Sequence, residues 1–272
     1  MSSALPIGIF DSGIGGLTVA SAIHKLLPQE QLVYFGDTAH LPYGDKSPVA
    51  IKYYSLKIAQ FLIEQGCKMI VIACNTASSH AYQDLLEVFG QQVPIVNVID
   101  PVVDEVVKAG IYHRIGVIGT KATIKSEVYA KKLKAADAGL KVSSLATPLL
   151  APMIEEGFFN NTISHTVIHS YLSSPVLKNI DSLILACTHY PLIKPEIEEF
   201  YQSKVSIVNT AETVARHVQQ RLQQLNLLNS ENKALHRFYV SDYTSSFERS
   251  TRMFFGEKIH LRHKAMWETT KP

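Results

Sequence analysis

The segment Met69-Ile-Val-Ile-Ala-Cys-Asn-Thr76 decides the fold predicted for this chain. Its first five residues are all apolar, a pattern typical of a parallel strand that is covered on both faces. A second segment, Ser182-Leu-Ile-Leu-Ala-Cys-Thr-His189, repeats the apolar run, the alanine and the cysteine about one domain length later. The repeat predicts two similar α/β lobes with Cys74 and Cys187 at the carboxyl ends of strands, where parallel sheets bind ligands.

Short β-branched runs alternate with longer amphipathic stretches on both sides of these segments. This alternation predicts an α/β fold of two similar lobes, each a mainly parallel sheet flanked by helices. The predicted strands are Ile7–Phe10, Leu32–Gly36, Met69–Ala73, Ile95–Val98, Ile115–Gly119, Ser182–Ala186, Val205–Val208 and Phe238–Ser241. The predicted helices are Gly16–Leu27, Pro48–Glu64, Ala77–Phe89, Pro101–Ala109, Thr123–Ala136, Thr162–Leu172, Leu192–Tyr201 and Ala211–Leu227.

Length and composition exclude several classes of protein. The 272 residues are 46% hydrophobic and 18% charged with a net charge of +2, which indicates one or two globular domains with a full core. Mixed charges predict neither a nucleic-acid groove nor a membrane patch, and no apolar run approaches the ~20 residues that span a bilayer. The first strand begins at Ile7 without room for a signal peptide, and three cysteines indicate reduced thiols, so we expect a cytoplasmic protein.

A glycine-rich turn follows the first strand, in Ile7-Gly-Ile-Phe-Asp-Ser-Gly-Ile-Gly-Gly16. Amides at a helix start hold anions, but Thr18 breaks the dinucleotide spacing and the Gly-Lys-Ser/Thr of a triphosphate loop is lacking. An acid at the mouth of the turn would also repel a phosphate. Two interpretations remain open: Asp11 caps the helix, or Asp11 and Ser12 face a ligand that carries a cation.

A second loop, Tyr34-Phe-Gly-Asp-Thr-Ala-His-Leu-Pro-Tyr-Gly44, contains two turn signals. It is either a structural connection or a set of backbone amides that clasp a carboxylate. The spacing alone does not separate these two interpretations.

The cysteines limit which reactions this chain is expected to catalyse. A free thiol is only a few per cent ionised at neutral pH, and a helix start after Cys74 or Cys187 is expected to lower its pKa. Cys67 is expected to be structural. Zinc would need further ligands near Cys187 and His189, and a hydrolase would use only one thiol. Racemisation would use both, one removing a proton from one face while the other delivers a proton to the opposite face.

Five motifs closely resemble the bacterial glutamate racemases, within the aspartate/glutamate racemase superfamily. They run in order between residue 7 and about residue 215. They are Phe10-Asp-Ser-Gly-Ile-Gly-Gly-Leu17, Gly36-Asp-Thr-Ala-His-Leu-Pro-Tyr-Gly44, Ala73-Cys-Asn-Thr-Ala-Ser78, Gly119-Thr-Lys-Ala-Thr123 and Ala186-Cys-Thr-His-Tyr-Pro191.

The resemblance implies an active site between the lobes that interconverts L- and D-glutamate without pyridoxal phosphate, metal or nucleotide. It assigns the proton of D-glutamate to Cys74 and that of L-glutamate to Cys187, with Asp11 and His189 as helpers. A further acid near the second thiol is Glu155. The substrate contacts that it implies are Asp11, Ser12, Pro42, Tyr43, Gly44, Asn75, Thr76, Thr120, Thr123 and Thr188.

The resemblance also carries broader expectations. It implies a first lobe of residues 1–100 plus 211–272, a second of residues 101–210, a role in peptidoglycan synthesis, and the homodimer that many members form. Glu156 stands beside Glu155 and is an alternative helper acid. His40 and Ala186 depart from the usual arginine and glycine, and neither departure touches the two thiols.

Two rival functions remain. The first is a racemase of aspartate or another acidic amino acid, although the Asp-Ser-Gly-x-Gly-Gly and Pro-Tyr-Gly motifs favour glutamate. The second is a two-lobed binding protein that holds an acidic amino acid without converting it, in which paired thiols would be superfluous.

Overall fold

The computed structural model describes residues 2–230 and 235–267. Within them the strands are β1 (Ile7–Asp11), β2 (Leu32–Gly36), β3 (Met69–Ile72), β4 (Ile95–Asn97), β5 (Arg114–Gly119), β6 (Lys141–Ala146), β7 (Ser182–Ala186), β8 (Ser206–Val208), β9 (Arg237–Val240) and β10 (Leu261–His263). The α-helices are α1 (Leu17–Leu26), α2 (Pro48–Glu64), α3 (Asn75–Phe89), α4 (Asp100–Ala109), α5 (Lys121–Ser126), α6 (Val128–Ala136), α7 (Leu150–Glu155), α8 (Thr162–Leu172), α9 (Lys194–Tyr201), α10 (Thr210–Gln224) and α11 (Ser245–Phe255).

The strands form two parallel sheets. The first has the order β10-β9-β2-β1-β3-β4 and the second has the order β6-β5-β7-β8. The order β2-β1-β3-β4 therefore recurs as β6-β5-β7-β8, and β3 and β7, which precede the two cysteines, occupy equivalent places. The predicted α/β fold with two parallel sheets is confirmed.

Burial explains why the central strands are apolar throughout. Every residue of β1, β2, β3 and β7 is buried, since helices cover both faces of each sheet. One hydrophobic core lies on one face of the first sheet and continues past α1, α4 and α10 into the second sheet. The two sheets are thus connected through packed apolar side chains as well as through the chain itself.

The two sheets take their strands from different parts of the chain. The first sheet takes its strands from residues 7–97 and 237–263, and the second from residues 114–208. The boundaries at residues 100 and 210 stay a prediction. Residues 1, 231–234 and 268–272 of the predicted first lobe lie outside the described residues.

Several elements differ from the sequence prediction. The edge strands β6 and β10 and the helices α7 and α11 were not predicted. The two strands are short and partly polar, and α7 has only 6 residues. The helix α11 does carry apolar residues at helical spacing, a signal that the sequence prediction missed. The predicted helix over residues 123–136 is two helices, α5 and α6, separated by Glu127 in the left-handed conformation with φ 58°. In the part of the chain described, no helix combines the length and the apolar character that crossing a membrane requires.

A buried ion pair ties the first sheet to distant parts of the chain. Lys68, directly before β3, places its Nζ atom 2.6 Å from Oε2 of Glu30, and both side chains are buried. The same Nζ atom donates to the carbonyl oxygen of Leu227 at 2.8 Å and to that of Ser3. Removing the ammonium would leave a buried carboxylate without its counter-charge.

We therefore expect Lys68→Met to lower the free energy of unfolding by about 3–5 kcal/mol, the usual effect of removing one partner of a buried pair. Urea denaturation measures this change. The double variant Lys68→Met with Glu30→Leu is the control, and it should lose less because no uncompensated charge remains. A single variant as stable as the wild type would show that the pair is not important for stability.

Candidate active site

A cavity of about 240 Å³ lies where the carboxyl ends of the two sheets meet. The residues that directly follow β1, β3, β5 and β7 form much of its wall. The lining residues are Ser12, Gly13, Leu41, Pro42, Tyr43, Gly44, Cys74, Asn75, Thr76, Thr120, Ala151, Pro152, Glu155, Ala186, Cys187, Thr188 and His189. A larger cavity of about 580 Å³ lies among α1, α10 and α11, but neither Cys74 nor Cys187 lines it.

Cys74 lies at the start of α3, where its Sγ atom accepts a hydrogen bond from the amide of Ala77 at 3.4 Å. The thiol donates to Oγ of Ser12 at 3.7 Å. Burial and the nearby Asp11 carboxylate raise the pKa of the Cys74 thiol to about 12, which outweighs the lowering effect of the helix start. The expectation that the helix start would leave Cys74 with a lowered pKa is therefore wrong.

Cys187 belongs to a chain of three groups. Its Sγ atom is 3.6 Å from Nδ1 of His189, whose Nε2 atom is 2.7 Å from Oε1 of Glu155. Burial lowers the pKa of His189, but the hydrogen bonds and charges of Cys187 and Glu155 together raise it well above its ordinary value. Of the two adjacent acids, Glu155 contacts the imidazole, while Glu156 is exposed. A protonated His189 can stabilise a negative charge on the Cys187 sulfur.

Asp11 lies behind the cavity wall. Its Oδ2 atom accepts hydrogen bonds from the amides of Gly13 at 3.1 Å and Gly16 at 3.0 Å, so it holds the glycine-rich turn at the start of α1. Its Oδ1 atom is buried without a hydrogen-bond partner among the described residues. Burial raises the pKa of Asp11, while His189 and the turn amides oppose that shift. One oxygen thus supports the turn, and the charge of the carboxyl group acts on Cys74.

Three threonine hydroxyls join the lobes beside the thiols. The Oγ1 atom of Thr76 is 2.9 Å from that of Thr120 and 3.1 Å from that of Thr123, and the last two are 3.0 Å apart. These hydroxyls therefore satisfy one another. Thr76 and Thr120 line the cavity, whereas Thr123 is buried behind them.

Asn75 is held from the second lobe. Its Oδ1 atom accepts a hydrogen bond from the hydroxyl of Tyr129, a buried residue of α6, at 2.7 Å. Burial and Asp100 raise the pKa of Tyr129, so this hydroxyl keeps its proton. The amide group of Asn75 is therefore oriented with Nδ2 as its remaining polar atom.

Two glycines let the lobes approach each other. A Cβ atom on Gly15 would stand 2.3 Å from Cε1 of His189, and one on Gly44 would stand 2.9 Å from Cβ of Thr120. A hydrogen bond of 2.9 Å from Oγ1 of Thr18 to the carbonyl oxygen of Thr188 adds a third contact. These contacts hold the first lobe's loops against the residues beside Cys187.

Comparison with known proteins agrees with this geometry. The Asp/Glu/hydantoin racemase family profile matches residues 16–218. A glutamate racemase of Geobacter metallireducens is 43% identical over 97% of this chain and 98% of its own length. This chain belongs to the Asp/Glu/hydantoin racemase family. The resemblance noted in the sequence is confirmed, and the chain is an amino-acid racemase by family.

Solved structures of the family have the same architecture. The glutamate racemase of Francisella tularensis in complex with D-glutamate matches with a TM-score of 0.91 and 37% identity, covering 97% of this chain and 99% of the other. The RacE1 isoform of Bacillus anthracis matches with a TM-score of 0.89 and 34% identity, covering 96% and 98%. The fold of this chain is that of the glutamate racemases.

Most of the predicted racemase residues meet at the one cavity: apart from Asp11 and Thr123, all of them line it. No sequence pattern selects Tyr129 or Thr18, whose contacts cross between lobes. Asp37 lies in the loop that contains the two turn signals and also anchors Tyr43. Among residues 2–230 and 235–267, no group of three or more His, Cys, Asp or Glu side chains is placed to hold a metal ion.

We expect His189 of this family member to keep its proton to a higher pH than an ordinary histidine. Glu155→Gln removes a carboxylate that raises the pKa, so the pKa of His189 should fall. Imidazole NMR titration measures both values. His80 is the control, because burial lowers its pKa and it contacts Ala122 instead.

The raised pKa of His189 also has a defined effect on stability. The stabilisation from its protonated form is fully present below the unfolded-state pKa of about 6.5 and is lost as the pH rises through the higher folded-state value.

In the NMR experiment, a His189 resonance that titrates at the same pH in the wild type and in Glu155→Gln would contradict the charge coupling between Glu155 and His189.

Proposed function

We propose that this chain is a glutamate racemase that interconverts L- and D-glutamate by a cofactor-independent two-base reaction with Cys74 and Cys187. The observation that carries the proposal is that both thiols line one cavity and follow equivalent strands, β3 and β7, of two sheets with the same strand order. Mirror-image products require proton removal and delivery on opposite faces of one carbon atom, and two like groups on two like lobes suit that task.

The proton balance of the reaction is simple. One sulfur, as a thiolate, takes the α-proton and becomes a thiol. The electron pair left on the α-carbon spreads into the carboxylate. The opposite sulfur, which begins as a thiol, gives its proton to the other face and ends as a thiolate. The two sulfurs exchange roles in each turnover, and the reverse reaction begins from the state that the forward reaction leaves.

The environments of the two sulfurs support different starting states. The chain Cys187–His189–Glu155 places an imidazole with a raised pKa beside one sulfur, which favours a thiolate there. Burial and Asp11 keep Cys74 protonated, with a pKa of about 12. Under this proposal Cys187 acts as the base and Cys74 as the acid when L-glutamate is the substrate, the arrangement that the resemblance implies.

Polar groups around the cavity suit an acidic amino acid. The hydroxyls of Ser12, Thr76 and Thr188 and the amide of Asn75 can donate to carboxylates. The start of α3, a helix of 15 residues, adds free backbone amides and the positive end of the helix dipole beside Cys74. These groups would stabilise the charge that develops on the α-carboxylate.

A cofactor-free reaction fits the residues at the cavity. None of the described residues that line it is a lysine, the residue to which pyridoxal phosphate attaches. Without an electron sink, catalysis would depend on precise placement of the α-carbon between the two sulfurs and on exclusion of water. The complex of the Francisella relative with D-glutamate supports glutamate as the molecule bound here.

The wider role is proposed from the family resemblance. A supply of D-glutamate would serve peptidoglycan synthesis, and so cell-wall biogenesis and cell shape. The reduced thiols that this chemistry needs fit the cytoplasm. A homodimer is proposed on the resemblance alone.

We expect Cys74→Ala and Cys187→Ala each to lower racemisation of glutamate by about 100-fold or more, the scale of general acid or base catalysis. Each should retain glutamate binding, because the other polar lining residues remain. Cys67→Ala is the matched control: this third cysteine is buried against Gly8, away from the cavity, and its variant should remain active.

Circular dichroism of L-glutamate in heavy water, with a chelator and no cofactor, measures racemisation, and proton NMR follows deuterium entering the α-position. Both cysteine variants keeping full activity would overturn the two-thiol mechanism. A wild-type protein that binds glutamate without exchange would be a binding protein. Faster conversion of L-aspartate than of L-glutamate would identify the rival racemase.

A further inference from the structure

We infer that Asp37 and Trp267 are positioning residues of the active site, which hold Tyr43 and through it the loop Pro42–Gly44 at the cavity wall. The inference rests on the proposed function, since its effect is on the binding of the glutamate substrate. It makes residues 264–267, none of which lines the cavity, a support of the substrate site.

Asp37 is the residue at which the hydrogen bonds that hold Tyr43 and Trp267 meet. It lies directly after β2, and its carboxylate is fully buried. The Oδ2 atom accepts from the Tyr43 hydroxyl at 2.7 Å, and the Oδ1 atom accepts from Oγ of Ser241 at 2.7 Å and from Nε1 of Trp267 at 2.8 Å. The imidazole of His40 is 3.0 Å from Oδ2. A buried carboxylate is stable in such a place because donors surround it.

Tyr43 connects Asp37 to the wall of the cavity. Its side chain is buried, and burial together with Asp37 raises the pKa of Tyr43 well above its ordinary value, so the hydroxyl keeps the proton that it donates. The next residue, Gly44, lies against Thr120 of the second lobe. A shift of Tyr43 would therefore move both the cavity wall and a contact between the lobes.

Trp267 reaches Asp37 from the far end of the chain. The segment after β10 runs beside the first sheet, with the amide of Lys264 donating to the carbonyl oxygen of Val240 at 2.8 Å. The indole ring then packs edge-on against His40 and Tyr54, at centroid distances of 4.8 and 5.3 Å. Aromatic packing fixes the ring, and its only hydrogen-bond donor, Nε1–H, is used on Asp37.

One substitution at Trp267 can remove its hydrogen bond to Asp37 without removing the aromatic ring. Trp267→Phe keeps an aromatic ring in the cluster but removes the N–H group that Asp37 accepts. Tyr53→Phe is the matched control, because the Tyr53 ring also packs against the indole, at 6.2 Å, but its hydroxyl does not bond Asp37. Trp267→Phe removes more of the ring than the single oxygen that Tyr53→Phe removes, and only Trp267→Phe changes the hydrogen bonds of the carboxylate.

We expect Trp267→Phe to raise KM for glutamate about 10-fold, the scale of one hydrogen bond to a charged group, with kcat changed less than about 3-fold. Under the proposed function the loop contacts the substrate in its ground state and transition state alike, so a shift of the loop should appear mainly in KM. Tyr53→Phe should match the wild type. Damage to folding alone would reduce the active fraction and the apparent kcat and would leave KM unchanged.

A double-mutant cycle tests whether Trp267 acts through Tyr43. Tyr43→Phe removes the hydrogen bond from the Tyr43 hydroxyl to Asp37 and should raise KM by itself. In the double variant the rise should be smaller than the product of the single effects, because both act on one anchor. Thermal unfolding followed by circular dichroism verifies that each variant is folded.

The outcomes separate this inference from the proposed function. An unchanged KM in Trp267→Phe, or single effects that multiply fully in the double variant, would overturn the positioning role while the wild type still racemises glutamate. A wild-type chain that does not racemise glutamate would remove the proposed function itself, and this inference with it.

Discussion

The close approach of two loops across the lobes is the constraint on which the active site depends. Gly15 lies so near His189 that a Cβ atom there would overlap the imidazole ring, and Gly44 is similarly close to Thr120. The hydrogen bond from Thr18 to the Thr188 carbonyl completes the contact. Because Cys187 and His189 come from one sheet and Cys74 from the other, these contacts fix the relation between the two thiols.

Electrostatics then distinguishes two thiols that the fold places in equivalent positions. Cys74 is buried near Asp11, whose charge opposes ionisation of the thiol. Cys187 instead contacts His189, whose second nitrogen is bonded to Glu155. The strand order repeats between the sheets, but the neighbouring charges have opposite signs. The asymmetry is therefore a property of side chains added to a symmetrical backbone.

Sequence reasoning succeeded where one local pattern carries the information. All-apolar strands and amphipathic helices gave the two parallel sheets, and cysteines after matching strands gave the shared cavity. It failed at the edges, where β6 and β10 are short and partly polar. It also failed for Asp37, because its partner Trp267 is distant in sequence and their contact exists only in the folded chain. The same reason hid Tyr129, and burial reversed the expected shift of the Cys74 pKa.

Because L- and D-glutamate are mirror images, the different surroundings of the two thiols cannot make conversion in one direction more efficient than in the other. L- and D-glutamate have equal free energies in water, so under the proposed function kcat/KM is the same in both directions, whatever the protonation states of the two thiols. Under the proposed mechanism, a turnover from L-glutamate leaves Cys74 as the thiolate, a state that its surroundings disfavour. The protein returns to its resting state either by converting D-glutamate back or by moving a proton from the Cys187 side to Cys74. His189, bonded between Cys187 and Glu155, is placed to take part in that transfer. Under the proposed function the two directions share one kcat/KM, and the different surroundings of the thiols can act only on how it divides between kcat and KM.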